Sequence, residues 1–178
     1  MTTDFQSFNS APIVGRAAAN KGLALFPRRI DGRFAAMSRS DRESNTVAYS
    51  DHLSVWSSAL PCQSPARAWE VLQLGNCGPP IETDAGWLVL THGVGPMRTY
   101  RIGAILLDLD DPTRILGQLP QPLLSPATDE QGGYVPNVVY SCGALVHAET
   151  LVLPYGMSDA AIGIATMQLP ELLAALSR

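Results

Sequence analysis

The stretch Asp31-Gly32-Arg33-Phe34-Ala35-Ala36-Met37 decides the fold, because it places a tight-turn signal directly before a short apolar run. The same form returns at Ala85-Gly86-Trp87-Leu88-Val89-Leu90-Thr91 and at Ala148-Glu149-Thr150-Leu151-Val152-Leu153-Pro154. The turn positions Gly32, Gly86 and Glu149 lie 54 and then 63 residues apart. Runs this short are typical of β-strands, since helices usually need about ten residues or more. The repeat therefore predicts a recurring β-hairpin unit.

Further short apolar runs lie on both sides of each copy of the repeat. The strands predicted from all of these runs are Leu23–Phe26, Phe34–Met37, Thr46–Tyr49, Trp87–Leu90, Ile102–Leu107, Asn137–Tyr140, Leu151–Tyr155 and Ile162–Met167. The apolar runs before the three copies are Leu23–Ile30, Cys77–Ile81 and Val138–Val146. Only Leu169–Leu176 predicts a helix. Three-strand groups at this interval indicate β-propeller blades, and a β-sandwich with coincidental spacing is the alternative.

The number of blades predicts an incomplete ring. Propellers close with about four to eight blades, and this chain supplies about three. We therefore expect residues 1–178 to form a single all-β domain that is part of a propeller, with either upstream sequence or a partner chain completing the ring. Asp4–Phe8 resembles a strand that has no partner of its own. Because an open arc leaves apolar faces and strand edges uncovered, it also predicts association with a partner chain or another copy.

Composition excludes several classes of function. The 178 residues carry 12 basic and 16 acidic side chains, a net charge of -4, which argues against nucleic-acid binding. The three cysteines have no zinc-site spacing, and no apolar run reaches the roughly 18 residues of a membrane span. With no signal-peptide pattern, a cytoplasmic protein is expected. The arginines at 28, 29, 33, 39 and 42 form either a solvated edge or a site for a small anion.

Specific motifs follow one another in order along nearly the whole chain. Residues 20–34 read NKGLALFPRRIDGRF, residues 48–53 read AYSDHL, and residues 75–94 run from GNCGPPI through GWL to HGV. Residues 100–112 read YRIGAILLDLDDP, and VPNVV at 135–139 precedes Tyr155-Gly156 and Asp159. This ordered set resembles glycoside hydrolase family 130. The resemblance implies a five-bladed propeller, of which this chain is the carboxy-terminal part. It also implies an enzyme that either phosphorolyses β-mannosides or hydrolyses them, with a small carbohydrate as its partner.

The resemblance also implies which residues line the site. Lys21 and Arg39 match positions that bind an anion, and His92 and Tyr100 match positions that donate to phosphate or sugar oxygens. Asp159 matches an acidic position near the sugar. No metal or organic cofactor is implied, and inorganic phosphate is the expected co-substrate. The alternatives are a solvated rim for the two cations, a structural role for His92 and a core position for Tyr100.

Two departures from the family pattern leave the function open. The family's general acid is an aspartate of an earlier blade, which no segment here matches, so no catalytic residue is predicted and the chain alone is expected to give no turnover. Arg39-Ser40 stands where the family often has Arg-Pro, which leaves phosphorolysis and hydrolysis both open. The alternatives to an enzyme are a non-catalytic carbohydrate-binding propeller fragment, a remnant that needs a partner chain, and an assembly module that pairs with another copy.

Overall fold

The computed structural model describes residues 2–177 and consists of three antiparallel sheets followed by one helix. The first sheet has the order β1 (Ala24–Leu25), β2 (Phe34–Ser38), β3 (Asn45–Ser50), β4 (Ala59–Gln63). The second contains β5 (Gln73–Asn76), β6 (Ile81–Thr83), β7 (Gly86–Val94), β8 (Tyr100–Leu107) and β9 (Ile115–Gln118). Its order is β5-β7-β8-β9, with β6 also on β7.

The third sheet is built around one long hairpin. Its strands are β10 (Val139–Tyr140), β11 (Leu145–His147), β12 (Thr150–Met157) and β13 (Ala161–Gln168). Strands β10 and β11 both pair with β12, and β12 pairs along its full length with β13. Helix α1 (Leu169–Leu176) follows directly and contacts β8, β9 and β13.

The turns predicted before the repeated strands are present. Asp31 and Gly32 have φ values of 48° and 73°, and Ala148 and Glu149 have φ values of 45° and 62°. Two consecutive positive φ values are the geometry of the tight hairpin turn that matches strand twist. All eight predicted strand runs and the helix at Leu169–Leu176 are confirmed, although the structure gives several of these strands different ends.

Three details of the predicted strand groups were wrong. Each of the first two sheets has a fourth strand in its row, β4 and β9, so the units are not three-stranded. The strand that pairs with the carboxy-terminal part of β7 is β5. The predicted run Cys77–Ile81 is instead the connection from β5 into β6. Asp4–Phe8 forms no strand, because the Asp4 carboxylate instead accepts the backbone N–H groups of Gln6 and Ser7.

The three sheets stack face to face, with the second in the middle. Along β7 the side chains alternate, so that Trp87 and Val89 pack toward the first sheet while Leu88 and Leu90 pack toward the third. Every residue of β7 is buried, because both of its faces are covered. Helix α1 adds Leu172 and Leu176 to the hydrophobic core between the second and third sheets.

One face of the third sheet remains exposed. Leu145, Ile162 and Ile164 are 56%, 88% and 72% exposed. Apolar groups on an open sheet face favour association, and the expected pairing with another chain stays a prediction. No helix among residues 2–177 has the length and apolar character to cross a membrane.

Candidate functional site

A cavity of about 540 Å³ lies among residues of the second and third sheets and of the segments next to the strands of the first. It brings together four of the five residues that the sequence predicted, namely Lys21, Arg39, His92 and Tyr100. Five more residues line it: Ala19, Asn20, Arg42, Gln73 and Tyr140. Residues more than a hundred positions apart in sequence therefore meet in one place.

The cavity is strongly cationic. Lys21 lies in the segment before β1, Arg39 follows β2 directly, and Arg42 lies in the turn between β2 and β3. Among residues 2–177, no carboxylate lines the cavity. Because opposite charge attracts most strongly where water is partly excluded, this arrangement favours a small, highly charged anion.

His92 lies at the buried wall of the cavity, with 2% of its surface exposed. Burial, and then the positive charge of Arg39, lower the pKa of His92 to about 4, against the opposing effect of a hydrogen bond with the backbone of Asn76. The ring is therefore neutral at pH 7 and offers one N–H donor and one acceptor rather than a cation.

Acidification between about pH 6.5 and pH 4 is expected to destabilise the protein through His92. In this window the unfolded chain takes up a proton on His92 and the folded chain does not, so stability rises with pH and is lost as the pH falls. The lowered pKa corresponds to roughly 3 kcal/mol over the window, at about 1.4 kcal/mol per pKa unit.

Urea unfolding at several pH values would measure this effect on the wild type and on His92→Asn. The carboxylates titrate in both proteins, so their contribution cancels in the difference between the two free energies. If the difference in unfolding free energy between the wild type and His92→Asn stays constant from pH 7 to pH 4, the neutral, buried state of His92 is contradicted.

Two tyrosines pack against the His92 ring. The ring of Tyr100 stacks on it with centroids 6.0 Å apart and an interplanar angle of 20°, and the ring of Tyr140 lies 5.0 Å away at 54°. The Tyr100 hydroxyl accepts a hydrogen bond from Gln73 Nε2 at 3.1 Å. Since that bond uses a lone pair, the Tyr100 proton is left to donate to an oxygen of a ligand.

Several buried polar atoms beside the cavity find no partner within residues 2–177. They are Arg39 Nε, His92 Nδ1 and Asn76 Oδ1. Buried polar atoms in proteins are normally hydrogen-bonded, so each unpaired one has a cost. Their grouping around one cationic cavity indicates a site that is completed by a bound polar ligand or by water.

The close approach of Arg39 to His92 depends on Gly75. A Cβ atom at Gly75 would lie 2.3 Å from Cε1 of His92 and 2.7 Å from Cδ of Arg39. Gly75 is paired with His92 across β5 and β7, so the missing side chain leaves the space into which both functional side chains fit.

Asp159 is the predicted site residue that does not line the cavity. It is exposed and lies in the turn between β12 and β13, where Ser158 and Asp159 both have positive φ. The N–H of Ser158 donates to the carbonyl of Val138, and Val138 forms a bridge with Tyr100. The Asp159 turn is thus hydrogen-bonded to Val138, which pairs with Tyr100 at the cavity wall.

The sequence interpretation missed four polar lining residues. Asn20 stood inside a quoted motif without a role of its own, and Arg42 belonged to the arginine cluster that was left open between a solvated edge and a site for a small anion. Gln73 and Tyr140 carry no motif signal, because their position depends on how the sheets pack. Within residues 2–177 no group of three or more His, Cys, Asp or Glu side chains could hold a metal ion.

Comparison with known proteins gives one consistent family. A family model described as beta-1,4-mannooligosaccharide phosphorylase matches residues 2–178. The chain is 37% identical over 155 residues to a 1,2-beta-oligomannan phosphorylase of Thermoanaerobacter sp. (strain X514), covering 86% of this chain and 52% of that protein. It is 33% identical over 158 residues to a beta-1,4-mannooligosaccharide phosphorylase of Ruminococcus albus, covering 82% and 47%.

Solved structures agree with these matches. The beta-1,2-mannobiose phosphorylase of Listeria innocua, in complex with beta-1,2-mannobiose, has a TM-score of 0.81 and 32% identity over 90% of this chain and 47% of that chain. The chain spans about half the length of the curated relatives it matches. Family neighbours are five-bladed propellers, so the predicted propeller blades are confirmed and the sandwich alternative is not supported. This protein belongs to glycoside hydrolase family 130.

Proposed function

We propose that the cavity binds inorganic phosphate, and that the chain serves in the phosphorolysis of β-mannosides to give mannose 1-phosphate. The observation that carries the proposal is the group of three cations, Lys21, Arg39 and Arg42, around a cavity that no carboxylate of residues 2–177 lines. The names of the two curated relatives support phosphorolysis, since both are phosphorylases. Hydrolysis uses water as its nucleophile and has no need of an anion site.

Phosphorolysis places a specific demand on such a site. An oxygen of phosphate forms a bond to the anomeric carbon of the mannosyl unit as the glycosidic C–O bond breaks, and the leaving oxygen takes up a proton. The phosphate must therefore be held in line with that carbon. Lys21 supplies a point charge, Arg39 a two-pronged donor, and Tyr100 a neutral O–H donor. Holding and orienting the anion is the part of the reaction that we assign to these residues.

We further propose that Asp159 binds the sugar. A carboxylate accepts two hydroxyl hydrogen bonds, and the tether from Ser158 through Val138 to Tyr100 keeps the Asp159 turn next to the proposed phosphate site. No organic cofactor is needed for this chemistry, and phosphate acts as co-substrate. The proton donor to the leaving group is not assigned to any residue of this chain.

Lys21 offers a direct test, because it is the single lysine in the sequence. Phosphate is expected to slow acylation of Lys21 by an amine-reactive reagent at least about fivefold, since a bound dianion covers the ammonium group. Mass spectrometry of the digested protein would report the rate. The terminal amine is the internal control, and its rate should not depend on phosphate.

Mannose 1-phosphate separates the candidate functions without requiring turnover. In a phosphorylase site it should protect Lys21 as phosphate does, and it should compete with phosphate in calorimetric titrations. Protection by neither ligand would refute the phosphate site. A titration in which β-mannobiose binds while phosphate and mannose 1-phosphate do not would favour a hydrolase or a non-catalytic carbohydrate-binding module.

A further inference from the structure

Arg42 lies in the same cavity as the residues that the family motifs match, although no motif assigned it a role. We propose that Arg42 is a second arginine that binds the phosphoryl group, and that its main chain positions Arg39. This inference rests on the proposed phosphate site and deepens it. The ligand chemistry is a phosphoryl dianion, carried either by inorganic phosphate or by a sugar 1-phosphate.

The orientation of the Arg42 guanidinium is fixed by Asn20. Nε of Arg42 donates to Oδ1 of Asn20 at 3.0 Å, and Nδ2 of Asn20 donates to the carbonyl of Ser40 at 2.9 Å. The amide can therefore present only its oxygen to the arginine. An arginine has five N–H donors, and the terminal amino groups of Arg42 form no hydrogen bond or ion pair with any residue of the 2–177 segment.

The charge of Arg42 is not neutralised by its acidic neighbours. Asp41 uses its Oδ1 to accept the N–H groups of Glu43 at 3.0 Å and Ser44 at 2.9 Å, which fastens the turn. None of the ion pairs formed within residues 2–177 includes Arg42. An exposed, oriented and unpaired guanidinium at the edge of a cationic cavity is suited to a two-pronged contact with a phosphoryl group.

The main chain of Arg42 holds the other arginine. Nη2 of Arg39 donates to the carbonyl of Arg42, and the N–H of Arg42 donates to the carbonyl of Arg39 at 3.0 Å. Arg42 has a φ of 71°, a left-handed conformation that is unfavourable for any residue with a Cβ. Such strain is often kept where it serves a site, and here it directs the carbonyl toward Arg39.

The left-handed backbone allows the two roles to be tested separately. Arg42→Gly removes the guanidinium and keeps the backbone conformation, because glycine favours positive φ. Arg42→Ala also removes the guanidinium but keeps a Cβ, so it retains the cost of the left-handed conformation without the bond to Asn20 that holds Arg42 in place. Arg42→Lys keeps the charge without the two-pronged donor. Arg98→Gly is the matched control, because Arg98 is an exposed arginine with a φ of 54° that lines a different cavity.

Calorimetric titration of the full chain with inorganic phosphate, and separately with mannose 1-phosphate, gives the expected order of affinities. Arg42→Gly should bind phosphate about tenfold more weakly than the wild type, as expected for the loss of charge-assisted hydrogen bonds. Arg42→Ala should bind more weakly still, Arg42→Lys should recover part of the loss, and Arg98→Gly should bind within about twofold of the wild type. A loss with one ligand only would identify which source of the phosphoryl group Arg42 serves.

The outcomes separate this inference from the function on which it rests. If the wild type binds neither ligand, the phosphate site itself is refuted. If the wild type binds and Arg42→Gly binds equally well, only the role of the Arg42 side chain is overturned. If Arg42→Gly and Arg42→Ala bind alike, the positioning role of its main chain is overturned. Thermal unfolding of each variant shows whether a loss of affinity arises from a loss of folded protein.

Discussion

Replacement of Gly75 with alanine is expected to weaken phosphate binding about a hundredfold while the chain still folds. The added Cβ would lie 2.3 Å from Cε1 of His92 and 2.7 Å from Cδ of Arg39, and both distances are shorter than any carbon–carbon contact in a packed protein. Tyr100 and Tyr140 pack against the His92 ring and restrict its movement. Arg39 must then leave the cavity, or His92 must displace its neighbours.

The expected loss of phosphate affinity in Gly75→Ala follows from the contacts that Arg39 and His92 would lose. Each charge-assisted or buried hydrogen bond contributes about 1.5 kcal/mol or more, so the loss of two such contacts gives about a hundredfold weaker binding. Overpacking also destabilises the fold by about 1–3 kcal/mol. Calorimetric titration with phosphate measures the first effect, and urea unfolding measures the second.

Gly132→Ala is the matched control for this experiment. Gly132 is exposed, and a Cβ there would meet no atom within 4 Å. The same change in chain entropy therefore occurs without a clash. Near-native phosphate affinity in Gly75→Ala would show that Arg39 and His92 do not need their present separation, and would remove the geometric basis of the site.

The success of sequence interpretation differed between the fold and the site for physical reasons. The hairpin turns could be predicted because their backbone conformation depends on a few local residues, such as Asp31 and Gly32. Strand β7 could be predicted because it is buried on both faces and reads as a continuous apolar run. Strands β4 and β9 contain proline, glycine or glutamine and have exposed residues, so their sequences carry little of that signal.

The site required information of another kind. The motifs named Lys21, Arg39, His92 and Tyr100, and these residues line one cavity, although the role of each stays a prediction. The sequence left the arginine cluster that contains Arg42 open between a solvated edge and an anion site, because the left-handed backbone and the bond to Asn20 appear only in the folded structure. The same holds for Gly75, which in sequence resembles any other strand glycine and whose importance comes from the two side chains above it.

Trp87→Ala is expected to cause a severe loss of stability, larger than the loss from overpacking at position 75. The indole is fully buried between the first and second sheets, where it meets Phe26 edge to face at 5.1 Å and an interplanar angle of 85°. Its Nε1 donates to the carbonyl of Leu109 at 3.1 Å, and the guanidinium of Arg28 lies 4.8 Å from the ring centroid. Truncation of a buried tryptophan costs about 3–5 kcal/mol, a large part of the roughly 5–15 kcal/mol typical of folded domains.

Two further variants test why Trp87 matters. Trp87→Phe keeps an aromatic ring but loses the bond to Leu109, so it should cost about 1–2 kcal/mol. Leu151→Ala opens a smaller cavity between the second and third sheets, where Leu151 is 1% exposed. Urea unfolding measures all three, and a cost below about 1 kcal/mol for Trp87→Ala would show that Trp87 does not join the first two sheets.

The position of Trp87 also connects stability to binding. The cavity takes Lys21 and Arg39 from the side of the first sheet and His92 and Tyr100 from the second. A loosened contact between these sheets should therefore weaken phosphate binding more than an equal loss of stability between the second and third. At a temperature where both variants are folded, Trp87→Ala is expected to bind phosphate more weakly than Leu151→Ala. Equal affinities would mean that the four residues keep their arrangement without the packing that Trp87 provides.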